Sequence, residues 1–270
     1  MPYSAPDYWL ELHQRDNLSA VGQSALPPEI NAWLYRAMAR NLRRFLRRRD
    51  LDRPAPRTVL DVGAGTGYWV GFWQARGALV DGCDLVPLAV DRLNGKFGSA
   101  GRFWVADVAQ PASLGDRTYD LVTCLNVLLH VTEESAFEEA LANVAAAVAP
   151  GGHLLLAEPI LLHPELERPY DPNRHSRARA LATYADPLIA AGLELVAVEA
   201  ATVLANNPIE AGSPRAMARL QSWWRWVAGR SKANPRSARW IGPIVYAGDW
   251  LAMHSGAAPS GKFALFRRPA

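Results

Sequence analysis

Three carboxylates and a glycine-rich loop are the groups in this chain best suited to hold a ligand. Asp61 closes the apolar run Val59-Leu60, and after Val62 come Gly63, Gly65 and Gly67 at every second position, with Ala64 between the first two. Such a segment brings a strand to a sheet edge and turns tightly. Glycine, lacking Cβ, then lets the backbone approach a ligand closely. A second run, 79–84, ends in Asp84. A carboxylate suits a diol, because it offers several acceptor positions and no competing donor. A third run ends in Ala106-Asp107-Val108, an acid beside a backbone amide. Proton transfer needs groups that titrate near neutrality and sit where the strands end. His130, Glu158, His163 and His175 lie at that edge, whereas His153 begins a strand and lies at the opposite edge.

Two neighbouring phosphate-binding patterns fail. The dinucleotide fingerprint requires a glycine where Tyr68 stands. That argues against a nicotinamide-dependent oxidoreductase, and a P-loop would need a lysine that the segment lacks.

The elements that must position these groups alternate. Strands are expected at 57–62, 79–84, 103–106, 119–125, 153–158, 193–200 and 262–267. Helices are expected at 68–76, at 87–93, at 133–148 with Thr132 as its cap, and ahead of Gly192. Short apolar strands alternating with helices imply a mostly parallel sheet covered on both faces. Residues 1–26 show little periodicity. Pro27-Pro28-Glu29 opens a helix whose apolar face is Ile30, Leu34, Met38, Leu42 and Phe45, and Pro54-Ala55-Pro56 closes it as a connector.

Residues 202–261 separate the last two strands, too far apart for a plain loop. They hold a helix at 214–229 and five of the ten tryptophans, Trp223, Trp224, Trp226, Trp240 and Trp250. The expected organisation is an N-terminal helical cap at 1–56, a core at 57–201, a Trp-rich inserted lid at 202–261 and a final core strand at 262–270.

The strand, acid and loop at Val59-Leu60-Asp61-Val62-Gly63-Ala64-Gly65-Thr66-Gly67-Tyr68 resemble motif I of the class I S-adenosylmethionine-dependent methyltransferases of small-molecule type. Val80-Asp81-Gly82-Cys83-Asp84-Leu85 resembles their motif II, and Ala106-Asp107-Val108 their adenine site. The strand at 119–125 running into a histidine-containing turn, and the Pro150-Gly151-Gly152 turn before the next strand, are similar to the same family. The resemblance covers about residues 57–200 and the final strand. It implies a Rossmann-like sheet of seven strands and S-adenosylmethionine as cofactor. Gly63, Ala64, Gly65 and Gly67 would face its methionine part, with Asp61 orienting the loop by hydrogen bonds. Asp84, with Leu85 beside it, would take the ribose hydroxyls. Asp107 and Val108 would meet the adenine, and Leu125 and Asn126 the methionine end. Tyr8 and Tyr35, with Trp9 and Trp33, would close over the cofactor.

The implied reaction is methyl transfer to a small-molecule acceptor, with a hydroxyl of a natural product or glycosylated metabolite favoured. Methylation at nitrogen or carbon, or a non-catalytic cofactor-binding partner protein, stand as alternatives. His130, Glu158 and His175 are the candidate bases. Arg174, Arg177 and Arg179 beside His175 form a basic cluster that would suit an anionic acceptor.

A net charge of +3 is too small to argue for nucleic acid. The arginine run at 40–49 reads as a solvated helix face in preference to an anion-binding surface. No apolar run is long enough to span a bilayer, although Trp223-Trp224-Arg225-Trp226 permits weak peripheral contact with lipid. The polar N-terminus does not read as a signal peptide, and Cys83 and Cys124 fall in inner strands, so a cytoplasmic protein without a disulfide is expected. No cysteine–histidine cluster suggests a metal. A monomer or homodimer is expected.

Overall fold

The computed structural model describes residues 3–52 and 56–270. Strands β1 (Thr58–Val62), β2 (Leu79–Asp84), β3 (Phe103–Val105), β4 (Tyr119–Leu125), β5 (Val148–Glu158), β8 (Glu194–Ala200) and β9 (Lys262–Arg267) form one seven-stranded sheet. Its order is β3-β2-β1-β4-β5-β9-β8. The first five run parallel and β9 runs antiparallel between β5 and β8. Strand order reverses between β1 and β4, so a crevice opens at their carboxyl ends. A separate two-stranded ribbon pairs β6 (Ile160–Leu161) with β7 (Arg179–Ala180).

Inner strands of a sheet covered on both faces need apolar side chains both ways, and β1 and β4 supply them. One face packs Leu60, Val122 and Leu154 against Phe137 and Leu141 of α5 (Glu134–Ala146) and Tyr184 and Leu188 of α6 (Leu181–Ala190). The other packs Val59, Leu121 and Leu155 against α2 (Pro28–Arg47), α3 (Tyr68–Gln74) and α4 (Pro87–Phe97), through Phe45, Trp73 and Leu93. Cys83 and Cys124 are free and buried in the sheet.

Several local expectations are corrected. The expected connector Pro54-Ala55-Pro56 lies outside the described residues except for Pro56. Residues taken as unpatterned contain α1 (Ala5–His13). The cap of α5 is Glu133, whose carboxylate accepts from the amides of Ser135 and Ala136, in place of Thr132. Strand β5 starts at Val148 and takes in the Pro-Gly-Gly turn. Within 202–261, α7 (Pro214–Ala233) is joined by a second helix, α8 (Ala238–Ala252), which the sequence does not announce because Gly242, Pro243 and Gly248 interrupt it.

The insertion rests on α2. Ile30, Leu34 and Ala37 pack with Trp224, Val227, Ile241 and Val245 in a third core. Buried Asp249 fastens the joint: it accepts from Arg40 and Asn41 of α2 at 2.8 and 2.9 Å, and from the amides of Val203 and Leu204 at 2.7 and 2.9 Å. Lys262 and Glu210 form a buried ion pair beneath it. Elsewhere in the arginine run, Arg47 pairs with Asp52, while Arg48 and Arg49 pair with Glu199, with Arg47 and Arg48 at the surface. Removing one partner of a buried, hydrogen-bonded ion pair strands the other. Asp249→Ala is therefore expected to cost about 3–5 kcal/mol in urea denaturation; a loss within experimental error would show that the joint is not held by this carboxylate.

Candidate active site at the carboxyl edge of the sheet

Asp84 and the glycine loop are tied to each other. The amide of Gly65 donates to Asp84 Oδ2 at 2.8 Å and the amide of Val86 donates to Oδ1 at 3.0 Å. Gly65 has a φ of +52°, and a Cβ there would lie 2.7 Å from Val21 Cγ1, so the turn and the segment folded over it both require glycine. Gly67, also left-handed, begins α3. It does not line the crevice, whereas Gly63, Ala64 and Gly65 do.

That crevice is a cavity of about 310 Å³ whose walls include Asp84, Leu85, Asp107, Val108, Leu125 and Asn126. Asp107 Oδ1 accepts from the amide of Ala109 at 2.9 Å, which fixes the turn after β3. Asn126 has a φ of +60°, a conformation that asparagine tolerates better than most residues.

Asp61 differs from its expected role. It makes no hydrogen bond to the glycine loop. Its Oδ1 accepts from the Thr123 hydroxyl at 2.7 Å, and its Oδ2 is buried without a partner. Burial, opposed by the Thr123 hydrogen bond, pushes its carboxyl up to about 7. Burial raises Asp84 as well, against the pull of the amide of Val86 and of His13 nearby.

A second cavity, of about 760 Å³, adjoins the first. Trp9, Val21, Tyr35, Asn126, His130 and Tyr170 line both, and so form the junction. His130 Nδ1 lies 2.6 Å from the backbone carbonyl of His175. A carbonyl only accepts, so Nδ1 carries the proton and Nε2 keeps its lone pair. Burial pushes the imidazole down to about 4, leaving it neutral at physiological pH. Trp9 packs edge-on against it, with ring centres 4.6 Å apart.

The remaining candidates are dispersed. Tyr8 lines only the larger cavity, where it stacks on exposed His175 at 5.0 Å, so its expected place over the cofactor is corrected. Tyr35 stands at the junction and donates to the Val21 carbonyl at 3.1 Å. Trp33 faces α8, against Tyr246. His163 lines neither cavity and pairs with Glu165. Glu158 also lines neither cavity, and its buried carboxylate accepts from the amides of Val127, Leu128 and Leu129 at 2.9 to 3.0 Å. It holds the turn that carries His130, which removes it from the candidate bases. Burial pushes it up to about 7 despite those amides. Of the basic cluster, Arg177 is engaged by Glu134 and Glu167, and buried Arg179 lies over Phe137 and donates to the Val131 carbonyl.

Sequence patterns did not announce His13 and Tyr3 on the crevice wall, or Gln23, Arg168, Asn206 and Gln221 on that of the larger cavity. These residues converge from segments far apart in the chain, and the only signal was the polarity of single residues.

A family model described as a methyltransferase domain matches residues 30–198. The chain belongs to that methyltransferase-domain family, and its sheet is the Rossmann-like one of the class I methyltransferase fold. The ubiquinone biosynthesis O-methyltransferase of Serratia proteamaculans (strain 568) is 33% identical over 104 residues, 37% of this chain and 42% of that protein. That of Vibrio parahaemolyticus is 34% identical over 102 residues, with the same coverage of 37% and 42%. The chain thus spans about two fifths of the length of these relatives. Among solved structures, the 1,6-didemethyltoxoflavin-N1-methyltransferase of Burkholderia thailandensis, bound to 1,6-didemethyltoxoflavin and S-adenosylhomocysteine, has a TM-score of 0.55 at 19% identity, covering 100% of this chain and 93% of that one. The N-methyltransferase NodS of Bradyrhizobium japonicum WM9, with S-adenosylhomocysteine, has a TM-score of 0.52 at 15% identity, covering 86% and 87%. At these identities the likeness is one of fold.

A carboxyl whose folded pKa lies above its unfolded value, about 3.9, favours folding fully below the unfolded value, and that contribution is lost as pH rises through the folded one. For Asp61 the window runs from about 4 to about 7. Asp61→Asn, which keeps an acceptor for Thr123, is expected to be more stable than the parent without cofactor. The gap should open between about pH 4 and about pH 7, to about 4 kcal/mol at most, and stay level above that. A gap independent of pH in thermal denaturation would contradict the assignment.

Proposed function

We propose that the chain transfers the methyl group of S-adenosylmethionine to a hydroxyl of a small-molecule acceptor held in the larger cavity, with neutral His130 receiving the hydroxyl proton. The observation that carries this reading is the junction: two cavities meet at a histidine whose tautomer is fixed. The cofactor supplies a methyl on a positively charged sulfur that leaves as a neutral thioether.

The residues present fit that cofactor. The carboxylate of Asp84 suits the ribose diol, since each oxygen accepts from one amide and keeps further acceptor capacity. Asp107 and Val108 suit the adenine. Asp61, with one oxygen unpartnered, gains a reason to ionise when a cation such as an α-ammonium is held against the loop above it. The crevice, walled by Trp69, Leu85, Val108 and Leu125, excludes water from the reacting groups.

On the acceptor side, the larger cavity mixes Trp9, Leu161, Met217 and Trp224 with Gln23, Asn206, Gln221 and Arg168. That lining suits an acceptor of several rings bearing polar substituents, such as a natural product or a glycosylated metabolite. The similarity to ubiquinone biosynthesis O-methyltransferases supports oxygen as the atom methylated. The weak basicity of His130 favours a second reading, methylation of a neutral amine, for which proton removal matters less.

Asp84→Ala is expected to weaken S-adenosylmethionine binding by about 1–3 kcal/mol in calorimetry; unchanged affinity would remove the ribose assignment. His130→Ala is expected to lower kcat by about 10²–10⁴-fold while cofactor affinity stays near that of the parent. The base form of His130 is lost only as pH falls through about 4, so its acid limb should lie there and be absent from the variant. Full turnover in His130→Ala on an acceptor hydroxyl would exclude the proton-acceptor role, and full turnover on an amine would favour the second reading.

A further inference from the structure

The insertion concentrates a feature that methyl transfer does not use. Residues 202–261 carry seven arginines and lysines against two acids, Asp249, buried against Arg40, and Glu210, buried against Lys262. The chain's net charge is +3, so the rest of the molecule is net negative and the insertion is its cationic pole. All seven cations are exposed. None is in an ion pair among the described residues, unlike Arg40, Arg47, Arg48 and Arg49 of α2.

Beside two of these cations, Arg236 and Arg239, lies an uncovered apolar surface. Helix α8 buries Ala238, Ile241, Val245 and Asp249 on one side. At 100° per residue, Trp240, Ile244, Ala247 and Leu251 fall together on the opposite side, with Pro243 and Trp250 next to them. All six are exposed: Trp240 is 78% accessible and Leu251 64%. A helix that is apolar all round is normally buried all round. Here one face is open, about 16 Å long between Trp240 and Leu251, and charge-free. Arg236 and Arg239 lie at its start.

We propose that the outer face of α8, with Arg236 and Arg239 at its start, docks on an anionic lipid surface. Tryptophan and arginine together suit the zone between headgroups and acyl chains, where an indole keeps an apolar body buried and a polar edge wet. Unpaired basic residues add attraction to anionic headgroups, about 1 kcal/mol each close to the surface. A second copy of the chain fits poorly. A twofold contact through this face would set the cationic pole against its own image, and one helix face falls short of the roughly 800 Å² per partner of a stable interface.

The test is sedimentation of the full chain with vesicles of phosphatidylcholine, alone or with about a third phosphatidylglycerol. The protein is expected to partition onto the anionic vesicles and to be released as salt rises. Trp240→Ser combined with Leu251→Ser should lower that partition at least about tenfold. Arg236→Glu combined with Arg239→Glu should do the same on anionic vesicles only. Both variants should keep the parent's melting temperature and S-adenosylmethionine affinity, which separates loss of docking from misfolding. Absence from both kinds of vesicle, equal partition of parent and variants, or a dimer in ultracentrifugation that the serine variant converts to a monomer would each overturn the proposal.

Discussion

Backbone amides gathered by buried carboxylates are the interaction on which the rest of this structure depends. Loops at the carboxyl edge of a parallel sheet leave N–H groups without strand partners, and burying them unpaired is costly. Four acids solve this at four places. Asp84 takes Gly65 and Val86, Glu158 takes residues 127 to 129, Glu210 takes Leu162 and His163, and Asp249 takes Val203 and Leu204. Each of these turns borders one of the two cavities or the insertion, part of which lines the larger one.

This arrangement sets the electrostatics of the site. Glu210 and Asp249 are matched by Lys262 and Arg40. Among the described residues, Asp61, Asp84 and Glu158 are in no ion pair, and burial raises all three. Of the three only Asp84 lines the crevice, and a positively charged ligand held there would lower the cost of ionising it. His130 is biased the opposite way: burial strips its proton, and the carbonyl of His175 decides which nitrogen stays protonated. In the proposed reaction positive charge would leave a sulfur and a proton would leave the acceptor, which fits Asp84 on the crevice wall and a neutral His130 where the cavities meet.

The sheet and the crevice were readable in the sequence because their causes are local. Strands β2, β4 and β9 have the bounds that their apolar runs predict, with Asp84 ending β2, while Asp61 lies one residue inside the end of β1 and Asp107 two residues beyond that of β3. The acceptor side was not readable. Helix α1 has only Leu12 and His13 buried, and it is held by distant partners such as Arg92, whose guanidinium donates to the His13 carbonyl at 2.6 Å. Glu158 ends a strand, as a catalytic acid would, and only the three amides that meet it reveal a positioning role. Helix α8 was hidden by its glycines and proline, and with it the open apolar face.

The most direct measurement is a crystal structure of the protein with S-adenosylhomocysteine. Adenosine lodged between Gly65, Asp84 and Asp107, with the thioether sulfur facing His130 where the cavities meet, is the predicted result. A sulfur turned away from the larger cavity, or a nucleoside bound elsewhere while side chains fill the crevice, would contradict it.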